Sequence, residues 1–270
     1  MKLHTNSEGH GEPTFVLLHF FGSSGREYAG VISALAGRYR CIAPDLRGFG
    51  DSATAPDGDY SVDAMTDDVL SLIEQTVTGP FVVVGHSMSG KVALNLAARQ
   101  PAGLLGLVLL APSPLSPEPI EPDERQRLLT THGQRSAAEQ TRQNITSAPL
   151  SEAAQEQIVA DDLRSSDAAW QAWLTHGSRE NLEDRAGRIT LPVQIVLGAD
   201  DEHITRQLMQ ETLLRVLPQA RLTLLSGAAH VLPLEKPVEV ADILGTFAAW
   251  LLSRQIPTPY AATKPTLLAD

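Results

Sequence analysis

Short, mostly apolar runs alternate along this chain with longer stretches of helical period, and no other feature restricts the fold as strongly. The runs are Phe15-Val16-Leu17-Leu18, Cys41-Ile42-Ala43, Phe81-Val82-Val83-Val84, the stretch 104–110, Val193-Gln194-Ile195-Val196-Leu197 and Arg221-Leu222-Thr223-Leu224-Leu225. Strands that are apolar at nearly every position are buried on both faces. With helices expected at 24–36, 61–77, 88–99, 204–216 and 236–253, the pattern predicts an α/β fold: a mostly parallel central sheet flanked by helices. Residues 1–5 are expected to add an antiparallel edge strand, and the segment 6–13 is short for a second one.

The rhythm breaks once. After Pro112 come Pro114, Pro117, Pro119 and Pro122, then a polar, helical stretch with candidate helices near 122–131, 135–147, 151–164 and 167–177. A single crossover needs one helix, so four of them before the sheet resumes at Leu191-Pro192-Val193 predict an inserted lid. The expected division is a core of 1–112 and 191–253, a helical cap of 113–190, and a proline-interrupted tail of 254–270 that cannot continue a helix.

Composition narrows the partners. The 270 residues carry 32 acidic against 21 basic side chains, a formal charge of −11. Binding to nucleic acid or to an anionic membrane needs a basic face, so neither is expected. The apolar stretch 15–21, interrupted by His19, is too short to span a bilayer, and the polar residues before it do not form a signal peptide. A cytoplasmic location is expected. The single cysteine, Cys41, lies in a strand run and reads as a buried, inert thiol.

The residues that carry chemistry begin at Val84-Gly85-His86-Ser87-Met88-Ser89-Gly90-Lys91. A buried strand ends, a serine follows between small residues at minus two and plus two, and a helix starts at once. Such a turn holds a serine in strained backbone, and the helix N-terminus beneath it offers free N–H groups to a developing oxyanion. Ser87 is the expected nucleophile. Ser89 is expected to face the entering strand, where volume rather than polarity is the constraint.

Here the chain resembles the α/β-hydrolases, in particular their cap-bearing serine esterases, over nearly all its length to about residue 253. Pentads of that family usually end in glycine where this one has Ser89, a Ser-x-Ser variant found in some signalling and hormone-receptor hydrolases. At Leu18-His19-Phe20-Phe21-Gly22 the family usually reads His-Gly-x. The resemblance implies that the amides of Phe21 and Met88 form the oxyanion hole, with Phe20 placing an aromatic ring near the site mouth. Pro44-Asp45-Leu46-Arg47-Gly48-Phe49-Gly50-Asp51-Ser52 matches a family loop and reads as architecture, Arg47 pairing with Asp45 or Asp51.

A serine hydroxyl needs a base, and the base needs a group that fixes its tautomer. The family order is serine, acid, histidine. Of eight histidines, His230 alone follows the last strand run, and its setting implies the base. His86 is expected to pack away from the site, His203 is a weaker rival, and His132 and His176 are expected on solvated cap faces. For the acid, Asp200, Asp201 and Glu202 stand together; the family spacing of glycine, two residues, then aspartate implies Asp201. An aspartate nucleophile, as in epoxide hydrolases and haloalkane dehalogenases, is disfavoured by Ser87.

No metal or other cofactor is expected. Across 113–188 there are thirteen Asp or Glu against eight Arg and no Lys, an acidic lid that disfavours polyanionic substrates. Trp170 and Trp173, three apart on one helix, either pack in the core or line the pocket. Phe20, Trp170, Trp173 and Val231 are the expected substrate contacts. The expectation is a serine hydrolase of small, mostly neutral carboxylic esters acting through an acyl-enzyme. Lactone, carbon–carbon bond and perhydrolase chemistry on the same triad, or a slow-turnover ligand receptor, are the alternatives.

Overall fold

A computed structural model describes residues 1–255 of the protein, so the expected tail from residue 256 onward lies outside the described residues. Seven strands form one sheet in the order β1-β3-β2-β4-β5-β6-β7. They are β1 (Thr5–Glu8), β2 (Thr14–Leu18), β3 (Cys41–Pro44), β4 (Phe81–His86), β5 (Leu104–Leu110), β6 (Val193–Gly198) and β7 (Arg221–Leu225). All pairings are parallel except β1 against β3. The edge strand therefore falls on Thr5–Glu8 rather than on 1–5. Its residues are mostly exposed, so no apolar pattern marks it. Cys41 is fully buried in β3, and burial pushes its thiol up to about 12, which leaves it without nucleophilic thiolate.

Alternate side chains of each central strand feed opposite faces. Phe15, Leu17, Val82, Val84, Val108 and Leu110 pack against α1 (Ala29–Leu35) and α11 (Pro237–Gln255). Val16, Leu18, Val83, Leu107 and Leu109 pack on the other side, against α2 (Val62–Thr76) and α3 (Met88–Ala98). Burying a Val or Leu side chain contributes about 1.5–3 kcal/mol, so these central strands set the layers. Every residue of α3 is buried. Its polar members are answered: Asn95 donates to Asp63 and Thr66, and Lys91 donates to the carbonyls of Ser116, Ser178 and Glu180 at 3.1, 3.4 and 2.8 Å.

Between β5 and β6 lies the helical insertion, with α4 (Pro122–Thr131), α5 (Arg135–Ile145), α6 (Glu152–Arg164) and α7 (Asp167–Thr175). Ser151 and Ser166 cap α6 and α7 by accepting the Ala154 and Ala169 amides. Among the ties that fasten it to the sheet domain are the following three. Lys91 gathers carbonyls from both ends of the insertion. Asp161 accepts from Ser24 Oγ at 2.9 Å and pairs with Arg26. The Ser166 amide donates to the Gly48 carbonyl at 2.8 Å.

Later elements differ in detail from their expected outlines. The stretch 204–216 forms two short helices, α8 (Arg206–Glu211) and α9 (Leu213–Val216). They part at Thr212, whose hydroxyl bonds the Leu208 carbonyl at 2.6 Å, a local competitor of the helix. A short α10 (Leu232–Glu235) precedes α11. Arg47 pairs not with Asp45 or Asp51 but with Asp68, 2.6 Å from its Nε. Asp45 is committed instead to the Gly25 and Asp51 amides at 2.7 and 2.8 Å.

Gly48 sits at φ +77°, and a Cβ there would lie 2.6 Å from Ser166 Oγ and 2.7 Å from Ala169 Cβ. Gly48→Ala is expected to destabilise the protein by about 1–3 kcal/mol through the left-handed backbone and the clash with the insertion. Urea unfolding checks this: the midpoint should fall with the slope unchanged, and an unchanged midpoint would remove this tie.

Candidate active site

Because the central strands run parallel, their C-terminal ends share one edge, and the loops leaving that edge carry the expected site residues. Ser87 stands between β4 and α3 at φ 51°, ψ −115°, a conformation sparsely populated by residues with a Cβ. Three bonds hold it there. Its amide donates to Leu110 O at 2.9 Å, and its carbonyl accepts from the Gly90 and Ser113 amides at 2.8 and 2.9 Å. Gly85 allows the turn to close: a Cβ there would meet Ser89 O at 2.6 Å and Ala93 Cβ at 2.8 Å.

His230, in the loop after β7, is 7% exposed, and its Nδ1 lies 2.8 Å from Asp201 Oδ2. Asp201 is buried to the same extent, and its Oδ1 accepts the His203 and Ile204 amides at 2.8 and 3.0 Å. Asp200 and Glu202 are exposed, so of the three acids Asp201 is the one brought to the imidazole. Burial pushes the Asp201 carboxyl up, but the charge and hydrogen bond of His230 and the two amides outweigh it and hold it well below the usual carboxylate range. Burial likewise disfavours imidazolium at His230. The Asp201 charge and hydrogen bond prevail there, with Glu118 and Glu27 assisting, and raise it above its ordinary value.

A cavity of about 510 Å³ lies between the sheet edge and the insertion, and Ser87, His230, Phe20, Phe21, Trp170 and Trp173 all line it. Both tryptophans are at once 3% exposed core residues and cavity wall. Trp170 is sandwiched, its ring centroid 4.3 Å from Phe21 and 4.2 Å from His132. His132 is thus no solvated cap residue: it stacks on Trp170 and bonds Asp167 at 2.9 Å, whereas His176 is exposed. Val231 does not line the cavity. It is fully buried with Phe20 and Ile158, because α10 begins at the next residue and turns it inward.

The amides of Phe21 and Met88 donate to no acceptor among the described residues. The loop bearing Phe21 is braced from below. His19 Nε2 accepts the Leu46 amide at 2.9 Å while its Nδ1 faces Phe20 O at 2.8 Å, which fixes the tautomer with hydrogen on Nδ1. Phe20 replaces the family's glycine without strain, since the left-handed conformation of this loop falls on Gly22.

Two groups engage the site in ways that sequence reasoning did not foresee. His86 is fully buried, as expected, but its Nε2 lies 2.8 Å from the His230 carbonyl and its Nδ1 lies 2.8 Å from Glu27 Oε1. A carbonyl only accepts, so Nε2 carries hydrogen. Glu27 Oε2 also accepts the Phe20 amide at 3.3 Å. One buried pair therefore joins the loops of Phe21, Ser87 and His230. Ser89 is the second group. Its hydroxyl donates to Leu18 O at 2.7 Å and accepts the His86 amide at 2.9 Å, so polarity as well as volume is required there.

Ser89→Ala is expected to retain turnover within about tenfold while losing about 1–3 kcal/mol of stability, the cost of leaving buried backbone groups unpaired. Thermal unfolding beside an ester assay separates the two effects.

Comparisons with known proteins agree with this architecture. The chain is 37% identical over 89 residues to the magnesium-chelatase 30 kDa subunit of Rhodobacter capsulatus, a match that spans 33% of this chain and 31% of that one. It is 28% identical to the pimeloyl-(acyl-carrier protein) methyl ester esterase of Aeromonas salmonicida, covering 87% of this chain and 95% of that one. Among solved structures, an esterase from Exiguobacterium antarcticum superposes with a TM-score of 0.83 at 19% identity, over 92% of this chain and 95% of that one. The model of the alpha/beta hydrolase family matches residues 15–243, and the chain belongs to that family.

Proposed function

We propose that the protein is a serine hydrolase that cleaves small carboxylic esters, without anionic groups, through an acyl-enzyme. The observation that carries this reading is the pairing of His230 Nδ1 with the buried Asp201, which leaves Nε2 as the ring nitrogen free to serve Ser87 in the shared cavity. The esterase name of the Aeromonas relative supports it. Ser87 Oγ attacks the ester carbonyl as Nε2 takes its proton, and the amides of Phe21 and Met88 receive the oxyanion. Collapse expels the alcohol, which takes the proton from His230. Water, activated by the same nitrogen, then hydrolyses the acyl-serine and restores the enzyme. Asp201 orients the imidazole and stabilises its charged form. Phe20, Trp170 and Trp173 supply apolar wall, and the carboxylates lining the cavity oppose anionic esters.

Ser87→Ala is expected to lower hydrolysis of p-nitrophenyl esters by about 10³-fold or more while leaving circular dichroism and unfolding unchanged. A fluorophosphonate probe should label Ser87 in the wild type; labelling elsewhere would contradict the assignment.

Since His230 must be neutral to accept a proton and is raised above its ordinary value, the acid limb of kcat/KM should have its midpoint above about 6.5. Activity should grow as pH rises through it. Asp201→Asn removes the charge that raises His230, so the midpoint should move to lower pH as turnover drops by about 10⁴-fold. Asp200→Asn should change neither.

A further inference from the structure

Two adjacent aspartates on α6 have opposite surroundings. Asp161 is 1% exposed and fully answered, by Ser24 Oγ at 2.9 Å and by Arg26 and Arg164. Asp162 is 8% exposed and lines the cavity, and its carboxylate makes no hydrogen bond or ion pair with any described residue. Its Oδ2 sits beside the Phe21–Gly22 turn, where a Cβ on Gly22 would lie 3.7 Å from it and 3.1 Å from Trp170 Cζ3. Burial raises this carboxyl to about 6, with His132 and Arg127 opposing the rise. At neutral pH it is thus a largely buried carboxylate that faces the cavity with no protein hydrogen-bond partner.

The neighbouring basic side chains, Arg127 and His132, act on this carboxyl from a distance but form no hydrogen bond with it. Arg127 Nε and Nη2 are held by both oxygens of Glu124 at 2.7 and 2.6 Å and His132 Nδ1 bonds Asp167, while Arg127 Nη1 and His132 Nε2 are buried without a partner among the described residues. Glu118, Glu121, Glu124 and Glu202 line the same cavity, and among the described residues no lysine or arginine does. The closely packed, mutually tilted rings of Phe21 and Trp170 adjoin the carboxylate, and an aromatic face beside an anion favours a cation.

We propose that Asp162 is a substrate-recognition residue that receives a protonated amine carried by the ester, with Trp170 and Phe21 beside it. This rests on the esterase reading and narrows it to short amino esters. The carboxylate adjoins the loop whose Phe21 amide is assigned to the oxyanion, so the charge stands a few bonds from the scissile carbonyl. Specificity follows from a desolvated, charge-assisted hydrogen bond that a neutral isostere cannot make.

The test uses two isosteric pairs that differ in charge alone: dimethylaminoethyl butyrate against isopentyl butyrate, with the amine on the alcohol side, and the ethyl ester of dimethylaminobutyrate against that of methylhexanoate, with the amine on the acyl side. In at least one pair, kcat/KM should favour the amine by about tenfold or more. Asp162→Asn, and independently Asp162→Ser, should abolish that preference while hydrolysis of the neutral ester stays within about threefold. Equal rates within both pairs, or a preference that survives both substitutions, would overturn the proposal. Binding of the same esters to Ser87→Ala, followed by calorimetry, separates the two readings. If the wild type hydrolyses no ester, yet Ser87→Ala binds one of the amines about tenfold more tightly than its isostere and loses this on adding Asp162→Asn, the esterase reading fails and the cation site stands. Equal binding of amine and isostere would count against the site.

Discussion

The turn at Ser87 is the constraint to which the surrounding structure is fitted. A residue with a Cβ at φ 51°, ψ −115° costs of order 1–3 kcal/mol and persists only where neighbours over-determine it. Here the neighbours are the last residues of β5, which take its amide, and the first turn of α3 together with Ser113, which take its carbonyl. Because β4 is central and buried on both faces, the hydrophobic layers hold the strand that delivers the turn. The strain is thus supported by the core of the molecule, and the serine projects from a rigid edge.

Charge is organised around that edge in two ways. Beneath it, buried groups answer one another: Glu27 with His86, Asp201 with His230, Arg47 with Asp68. Such pairs contribute little net stability, but removing one member strands the other, so they fix geometry. The Glu27–His86 pair reaches the loops of all three proposed functional groups through backbone atoms, which keeps their relative positions independent of the side chains that react. Above the edge, in the insertion, the cavity wall carries carboxylates and, among the described residues, no lysine or arginine. Four acids of residues 113–188, Glu118, Glu121, Glu124 and Asp162, line that wall, and Asp162 is the most buried of the four.

How much of this was legible in the sequence depends on the range of the contact. The central strands and the four insertion helices have local period, and Val84-Gly85-His86-Ser87 ends a strand where a helix must begin, so fold and turn could be read directly. Asp201 among three consecutive acids needed the spacing from the β6 glycine. Edge strand β1 was misplaced because Thr5, Asn6, Ser7 and Glu8 bury too little to show a pattern. Glu27 was missed because its partner is 59 residues away, a separation that leaves no local mark. The same holds for the hydroxyl of Ser89, bonded to Leu18, and for Arg47, bonded to Asp68. Val231 was misassigned because a loop residue next to the proposed base has no period to reveal which way it points.

The proposed chemistry requires Ser87 to become covalently acylated with His230 as proton acceptor. Acid-quenched mixtures with p-nitrophenyl acetate, followed by intact-mass and peptide mass spectrometry during the pre-steady state, test it most directly. An acetyl group should appear on the peptide containing Ser87, forming in step with a nitrophenolate burst of about one equivalent, with no such burst in His230→Ala. A full rate of hydrolysis with no acyl adduct, or an adduct mapped to any other residue, would contradict it.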